Sequence, residues 1–320
     1  MSKEPTAIGA VTADLFASIE RQQNKRTPRD LALIERGLEI AARRPEGDEV
    51  TFMHSTLCAV GMPRSKVEGD TFSRINGNAA IELRAGKLWN GKAMVKQPLP
   101  YGPIPRLILA YVSAYAVREN TPEIPFGDSA NDALRLLGIE KSGQGFRMFR
   151  TQLQALAACQ MTIGFTSGDI ASTFDGSPVE QFDAWLPGKE GQRSLWPSRL
   201  ILGRRFFETL RDHAVPIDLE ALSALRSSAL AMDVYLFLVQ RLYRIGAPLT
   251  LNWWLLKDQF GQEYVGADAL ADFKKKFRKA LAQALSVYPG ANVEVVRGGV
   301  TFRKSAPAVD PVTAKRLRAA

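Results

Sequence analysis

A chain of 320 residues, 46% of them hydrophobic, is long enough for two domains with cores of their own, which excludes disorder over most of its length. Its net charge of +9 and pI near 9.6 favour an anionic partner, nucleic acid foremost. No apolar run approaches the ~20 residues of a bilayer-spanning helix, and two cysteines make no disulfide framework.

The opening MSKEPTAIGA carries no apolar secretion core. Residues 1–48 read as polar and helical. Thr12 or Asp14 can start a short helix, and Thr27-Pro28 reads as an N-cap followed by proline at the first helical position. Leu31, Ile34, Leu38 and Ala41 make one apolar stripe, which docks on a neighbouring element or serves oligomerisation. Arg43, Arg44, Pro45 and Gly47 end it.

From Glu49 the pattern turns strand-like. Residues 50–60 read as extended and stop at Gly61-Met62-Pro63. Residues 71–75 and 79–85 flank Asn76-Gly77, a tight-hairpin signal. Residues 86–93, GKLWNGKA, come close to a phosphate-binding loop. Ala93 stands where a hydroxyl should hold magnesium, and only five residues separate Lys92 from Pro98, too few for the helix that must follow. This piece reads as a glycine-turned loop.

Residues 103–120 read as a helix with a broad apolar face of Leu107, Ile108, Tyr111, Val112, Tyr115 and Ala116. A short extended piece follows at 123–127. Asp128 or Ser129 caps a second helix that runs to Leu137 and is closed by Gly138. Ser142-Gly143 opens a third, through Phe146, Phe149, Leu153 and Leu156. This is the element order of a winged helix, for which residues 160–167, 171–174 and 179–185 can supply the wing. The polar positions of the third helix, Gln144, Arg147, Arg150, Thr151 and Gln154, face a major groove or water. Arg147 and Arg150 lead as DNA-contact candidates, with Gln144 and Thr151 behind them. Arg106 anchors structure or a backbone phosphate.

The plan then repeats. Residues 186–197 form a connector, 199–202 a strand, and 204–212 a helix. Asp218 leads into a short helix with Leu222 and Leu225. Ser227-Ser228 caps a long helix, 229–244, with Leu230, Val234, Phe237, Leu238 and Leu242 at helical spacing. Residues 249–251 are the short strand, and 252–260 the second helix, stopped by Gly261. From about Gly266 a third helix puts Leu270, Phe273, Phe277, Leu281 and Leu285 on one face. A hairpin around Arg297-Gly298-Gly299 is its wing. Residues 306–320, ending in Lys315, Arg316 and Arg318, read as a flexible basic tail. The expected class is therefore mainly α with β (α+β). It comprises an N-terminal helical region (1–48), tandem winged-helix domains (49–190 and 191–305) and the tail (306–320).

Charge is concentrated in the second of these domains. Residues 266–305 hold eight basic and three acidic residues. Lys274, Lys275, Arg278 and Lys279 on the helix, with Arg297, Arg303 and Lys304 on the wing, are DNA-contact candidates through phosphate neutralisation. Arg278 is the better base reader, because a guanidinium can bind guanine with two hydrogen bonds. Of Trp253 and Trp254, one can be buried while its neighbour turns about 100° away.

Enzyme readings find little purchase. His54 and His213 are far apart in sequence and supply neither the His-x-His metal site of a nicking tyrosine nor a structural zinc site. There is no G-x-S-x-G elbow. Asp128 and Asp132 read as capping and first-turn charges rather than a magnesium pair. The expectation is a non-enzymatic protein with no catalytic residue, metal or cofactor.

Several pieces together carry a family likeness. They are Leu99-Pro100-Tyr101-Gly102 with Pro105-Arg106-Leu107, Glu123-Ile124 with Phe126-Gly127-Asp128-Ser129, and Leu136-Leu137-Gly138-Ile139. Further on come Val215-Pro216-Ile217-Asp218 with Ala224-Leu225, and Ala231-Met232-Asp233-Val234-Tyr235. The last are Trp253 or Trp254 with Phe260-Gly261, Asp272-Phe273-Lys274, Val287-Tyr288-Pro289 and Gly298-Gly299-Val300. Their order and spacing resemble the RepA-type plasmid replication initiators over roughly residues 50 to 308. The resemblance implies binding to repeated origin sites (iterons) in double-stranded plasmid DNA, with two winged helices in adjacent major grooves. It also implies opening of an A+T-rich segment and recruitment of the host initiator and replicative helicase. A homodimer that represses its own gene is a further implied form, and the place of work is the bacterial cytoplasm, on plasmid DNA, with no membrane partner. The alternative is a winged-helix repressor without initiator activity.

Overall fold

The computed structural model describes residues 27–125, 134, 135, 137, 139, 141–184 and 197–319. The expected helix start at Thr12 or Asp14, the cap at Asp128 or Ser129 and connector residues 186–196 lie outside them.

The chain begins with α1 (Pro28–Ala42), β1 (Val50–His54) and α2 (Ser55–Val60). Two hairpins follow, β2 (Thr71–Asn76) with β3 (Ala79–Arg84), and β4 (Lys87–Trp89) with β5 (Met94–Lys96). Next come α3 (Pro103–Arg118), β6 (Glu123–Pro125), α4 (Gly143–Ala158), β7 (Gln160–Ser167), β8 (Ile170–Gly176) and β9 (Val179–Ala184). Then come β10 (Pro197–Leu202), α5 (Arg204–His213), β11 (Ala214–Asp218), α6 (Leu219–Ala224) and α7 (Ala229–Leu242). The last elements are β12 (Leu249–Asn252), α8 (Trp253–Phe260), α9 (Ala269–Ser286), β13 (Val293–Val296), β14 (Gly299–Phe302) and α10 (Pro311–Ala319). Helices and strands are mixed along the chain, as the expected α+β class requires.

The chain divides into two compact units that are interleaved in sequence. One is Met1–Val50 with Pro216–Ala314, and the other is Thr51–Val215 with Lys315–Ala320. The linear division expected near residue 190 gives way to one near residue 215, with the N-terminal segment joined to the C-terminal unit.

In the first-named unit, α7 is apolar on nearly every side and almost wholly buried, so it forms the centre rather than a surface helix. β12, β14 and β13 make an antiparallel sheet in that order, with Leu251 and Val295 both opposite Val300. α9 packs on α7 and α8 through Phe273, Phe277, Leu281 and Leu285, the face its spacing predicts. Phe237 meets Phe260 and Phe302 edge-on at 5.3 and 5.7 Å. Gly299 is required at the sheet, because a Cβ there would overlap the Leu251 carbonyl.

The cap of α1 forms as expected. The Thr27 hydroxyl accepts from the Asp30 amide, and the Asp30 carboxylate accepts from the Thr27 amide, both at 3.3 Å. The docked face is another one than the sequence implied. Gly37 and Ile40 are buried, whereas Leu31 is 46% and Leu38 68% exposed. Gly37 lies so close to the Ser286 carbonyl at the end of α9 that a Cβ would overlap it. A helix can approach another this closely only where it lacks a side chain. On the α6 side Arg43 pairs with Asp218 at 2.8 Å and with Glu220 at 2.6 Å, and Arg36 also pairs with Glu220. The expected basic tail contains the helix α10, whose Ala314 is buried.

In the unit of Thr51–Val215, β2, β3, β7 and β8 form a four-stranded antiparallel sheet. A separate three-stranded sheet runs β6, β10, β9. Two sequence expectations are thereby corrected. β7 and β8 are not the wing of this domain. The Ile81/Ile163 and Leu83/Met161 pairs are buried opposite each other, so burial of that face fixes β7 to β3. β10, expected to open the second domain, instead pairs with β6 and β9 and completes the three-stranded sheet of this unit. The strand expected over residues 50–60 stops at His54, whose Nδ1 accepts from the Thr56 amide at 3.2 Å and starts α2. The guanidinium of Arg106 is buried and donates to the carbonyls of Gly102, Met62 and Pro63 at 2.6, 2.7 and 3.2 Å. Its role is to hold the start of α3, not a phosphate.

His54 and His213, distant in sequence, come together here with ring centroids 5.7 Å apart. Burial, aided by the His213 charge, pushes the His54 imidazole down to about 4.

Candidate nucleic-acid interface

The basic face of α9 follows from its apolar one. With Phe273, Phe277, Ala280 and Leu281 inward, Lys275, Lys276 and Lys279 stand exposed, and Lys274 and Arg278 fall half-buried on the flank. That flank is occupied by Trp253, 4% exposed, while Trp254 is 62% exposed. The Lys274 ammonium and the Arg278 guanidinium lie 5.7 and 5.1 Å from the Trp253 ring centre. The Trp253 indole also donates to the Arg297 carbonyl at 3.3 Å, so one side chain ties α8, α9 and the hairpin turn together.

Arg278, expected as the base reader, therefore lies along a tryptophan, and its Nε is buried with no acceptor among the described residues. Lys279 is drawn toward α1, 3.8 Å from Asp30. Burial raises the Asp30 carboxyl, but the Thr27 hydrogen bonds and the Lys279 charge outweigh it and hold it below the ordinary carboxylate range. On the hairpin, Arg303 pairs with Glu294 at 2.8 Å, while Arg297 and Lys304 are exposed. The outward cations without a carboxylate partner among the described residues are thus Lys275, Arg297, Lys304 and Lys276. Lys276 was not singled out as a contact from the sequence; it lies about 80° around the helix from the Phe273/Phe277 face, on the flank away from Trp253, and is exposed.

In the other unit, α4 repeats the logic with less charge. Ser142 caps it, accepting from the Gly145 amide at 3.0 Å. Phe149, Leu153 and Leu156 face inward, and buried Gln152 accepts from the Tyr101 amide at 2.8 Å. Gln144, Arg147 and Thr151 are exposed on one face, with Arg150 half-buried beside them. α4 contains no acidic residue, and neither arginine has a carboxylate partner among the described residues.

Residues 86–93 supply the first strand and the turn of the β4–β5 hairpin. Asn90 Oδ1 accepts from the Lys92 and Ala93 amides at 2.9 and 2.8 Å, and no helix follows to build a phosphate cradle. Among the described residues no three His, Cys, Asp or Glu side chains cluster as metal ligands, and no helix is long and apolar enough to cross a membrane.

Residues 99–252 match the model of the family described as Plasmid encoded RepA protein, which bears out the resemblance over that stretch. A crystal structure of domains 2 and 3 of RctB matches with a TM-score of 0.52 and 14% identity, over 80% of this chain and 99% of that one. A second structure of RctB domains 2-3 gives a TM-score of 0.47 and 14% identity, over 77% and 94%. The first of these likenesses is one of fold. No curated protein sequence matches the chain.

Proposed function

We propose that this chain, whose residues 99–252 match the plasmid encoded RepA protein family, is a replication initiator that binds double-stranded origin DNA through two winged-helix modules. One observation carries this reading. Each unit sets a three-stranded sheet of the same order beside a helix whose outer face is basic: β12–β14–β13 with α9, and β6–β10–β9 with α4. An α-helix fits the major groove of B-DNA, and a hairpin beside it reaches the flanking backbone. In this reading Lys275, Lys276, Arg297 and Lys304 neutralise phosphates for one module. Arg147 and Arg150, with Gln144 and Thr151, meet the groove for the other. Lys274 and Arg278 hold the Trp253 side of α9.

The protein does no covalent chemistry of its own. It reads iterons, strains the adjacent A+T-rich segment and presents a surface to the host initiator and replicative helicase. It works in the bacterial cytoplasm on plasmid DNA, and its repressor form is a homodimer. The family match favours initiation over the alternative, a winged-helix repressor alone.

The test is a gel shift with the plasmid's own repeats against a scrambled duplex at rising salt. The repeats should bind tighter, with affinity falling steeply as salt rises; equal affinity for the two probes sinks the origin-binding reading. Replacing Lys275 and Lys276 with alanine should flatten the log–log salt slope by about two, near 0.9 per phosphate contact. Lys279→Ala should change it less, because Asp30 already shares that charge. Supplying the protein in trans to an origin fragment separates the two roles: repression without replication favours the repressor.

A further inference from the structure

The β4–β5 hairpin carries exposed apolar surface that the reading above does not use. Its register sets Trp89 opposite Met94 and Lys87 opposite Lys96. Side chains alternate along a strand, so these four share one face. Trp89 is 62% and Met94 61% exposed, a large apolar pair left in water at the end of a short ribbon. Lys96 is paired with Asp70 at 2.6 Å, but Lys87 and Lys92 have no carboxylate partner among the described residues. No Asp or Glu occurs anywhere from Leu83 to Arg118.

The ribbon is also held firmly. Asn90 closes its turn, accepting from two amides and donating its own to the Ala93 carbonyl at 3.1 Å, with Gly91 in the left-handed region at φ 92°. At its base Gly86 presses on the carbonyl of Ala158, the last residue of α4, so closely that a Cβ would overlap it. The Gln97 amide donates to the Gly86 carbonyl at 2.9 Å. The hairpin is therefore fixed beside the helix that presents Arg147 and Arg150.

We propose that this hairpin is a further duplex-contacting element, in which Trp89 and Met94 wedge into a base step while Lys87 and Lys92 meet the flanking phosphates. It rests on the reading that α4 faces DNA. The surface is a flat apolar pair bordered by cations in an acid-free stretch. That is the complement of a base stack bordered by phosphates, and a protein partner would have to bring an acidic rim to match it. Apolar wedges of this kind partly unstack a step and kink the duplex.

The experiment uses the full chain and a duplex of the plasmid's own repeats labelled at both ends with a fluorescent donor and acceptor. Trp89→Ala should weaken affinity about tenfold, the order expected for one lost aromatic–base contact. It should also lengthen the end-to-end distance of bound DNA toward that of straight duplex, and Trp89→Phe should restore most of both. The Lys87→Ala/Lys92→Ala variant should flatten the salt slope by about two. Variants that bind and bend the duplex as the wild type does overturn the proposal. So does a Trp89→Ala loss confined to the single-stranded form of the repeat. A wild-type chain that does not prefer the repeats over scrambled duplex sinks the origin-binding reading instead, so the two failures are distinguishable.

Discussion

The sheets β12–β14–β13 and β6–β10–β9 place their strands in the same order, yet the chain reaches them by different routes. In the C-terminal unit α9 passes through residues 287–292 directly into its hairpin. In the other unit residues 159–178 intervene between α4 and β9, and most of them form β7, which pairs with β3, and β8, which pairs with β7. The detour is tolerated because its backbone groups find a ladder of their own, leaving the β6–β10–β9 pairing intact. A module can thus keep its strand order through a long insertion when the insertion completes a separate sheet. The modules differ in charge as well: α9 carries five basic residues in the run Lys274–Lys279, whereas α4 carries two arginines and no acid.

The largest expected effects ask whether the modules are energetically separate. Phe277 (1% exposed) sits against Trp253, Phe260 and Phe273, and Phe149 is fully buried in the other unit. Truncating either to alanine should cost about 3–5 kcal/mol. In a denaturant titration Phe277→Ala should move one transition and Phe149→Ala another. A single transition shifted equally by both would show the units unfolding as one.

Acid should then distinguish the units. The buried His54 belongs to the unit of Thr51–Val215 and is held neutral, with its imidazole pushed down to about 4 from the ordinary 6.5. The unfolded chain takes up that proton first, so this contribution is fully present above about pH 6.5 and is lost as the pH falls to about 4. The gap corresponds to about 3 kcal/mol. His54→Asn keeps an acceptor for the Thr56 amide but does not titrate, so it should flatten the pH profile of that unit's unfolding. A profile unchanged by the substitution breaks the assignment.

A smaller effect concerns where α1 belongs. Gly37→Val forces a side chain into the Ser286 carbonyl and should cost about 1–3 kcal/mol by overpacking. Thermal melting should show the loss in the transition that Phe277→Ala moves. No loss would mean that the helix does not need this docking.

Much of the local structure was legible in the residues. The Thr27, Ser142, Ser228 and Asn252 caps all accept an amide at the predicted helix starts. The period of α9 named its buried face residue by residue, because a long amphipathic helix has one way to bury such a stripe. The same rule failed for α1. There a glycine notch allowed a closer helix contact than Leu31 and Leu38 offered, and a hydrophobic count gives glycine no weight. The candidate interface divided likewise. Exposure of Lys275 and Arg147 followed from helical period, whereas the capture of Arg278 by Trp253 and of Lys279 by Asp30 depended on elements far away in sequence.

By itself the sequence determined most of the longer helices and their caps, the hairpin turns at Asn76-Gly77 and Gly298-Gly299, and the concentration of positive charge, though not the helices Ser55–Val60 and Pro311–Ala319. These are set by φ/ψ preference, by side-chain period and by composition, all of which act within a few residues. Only the tertiary structure decided which strands share a sheet, that residues 28–42 join the C-terminal unit, and that His54 meets His213. Strand pairing and helix docking are chosen by mutual burial between segments separated by tens to hundreds of residues, and no local pattern in either segment names its partner.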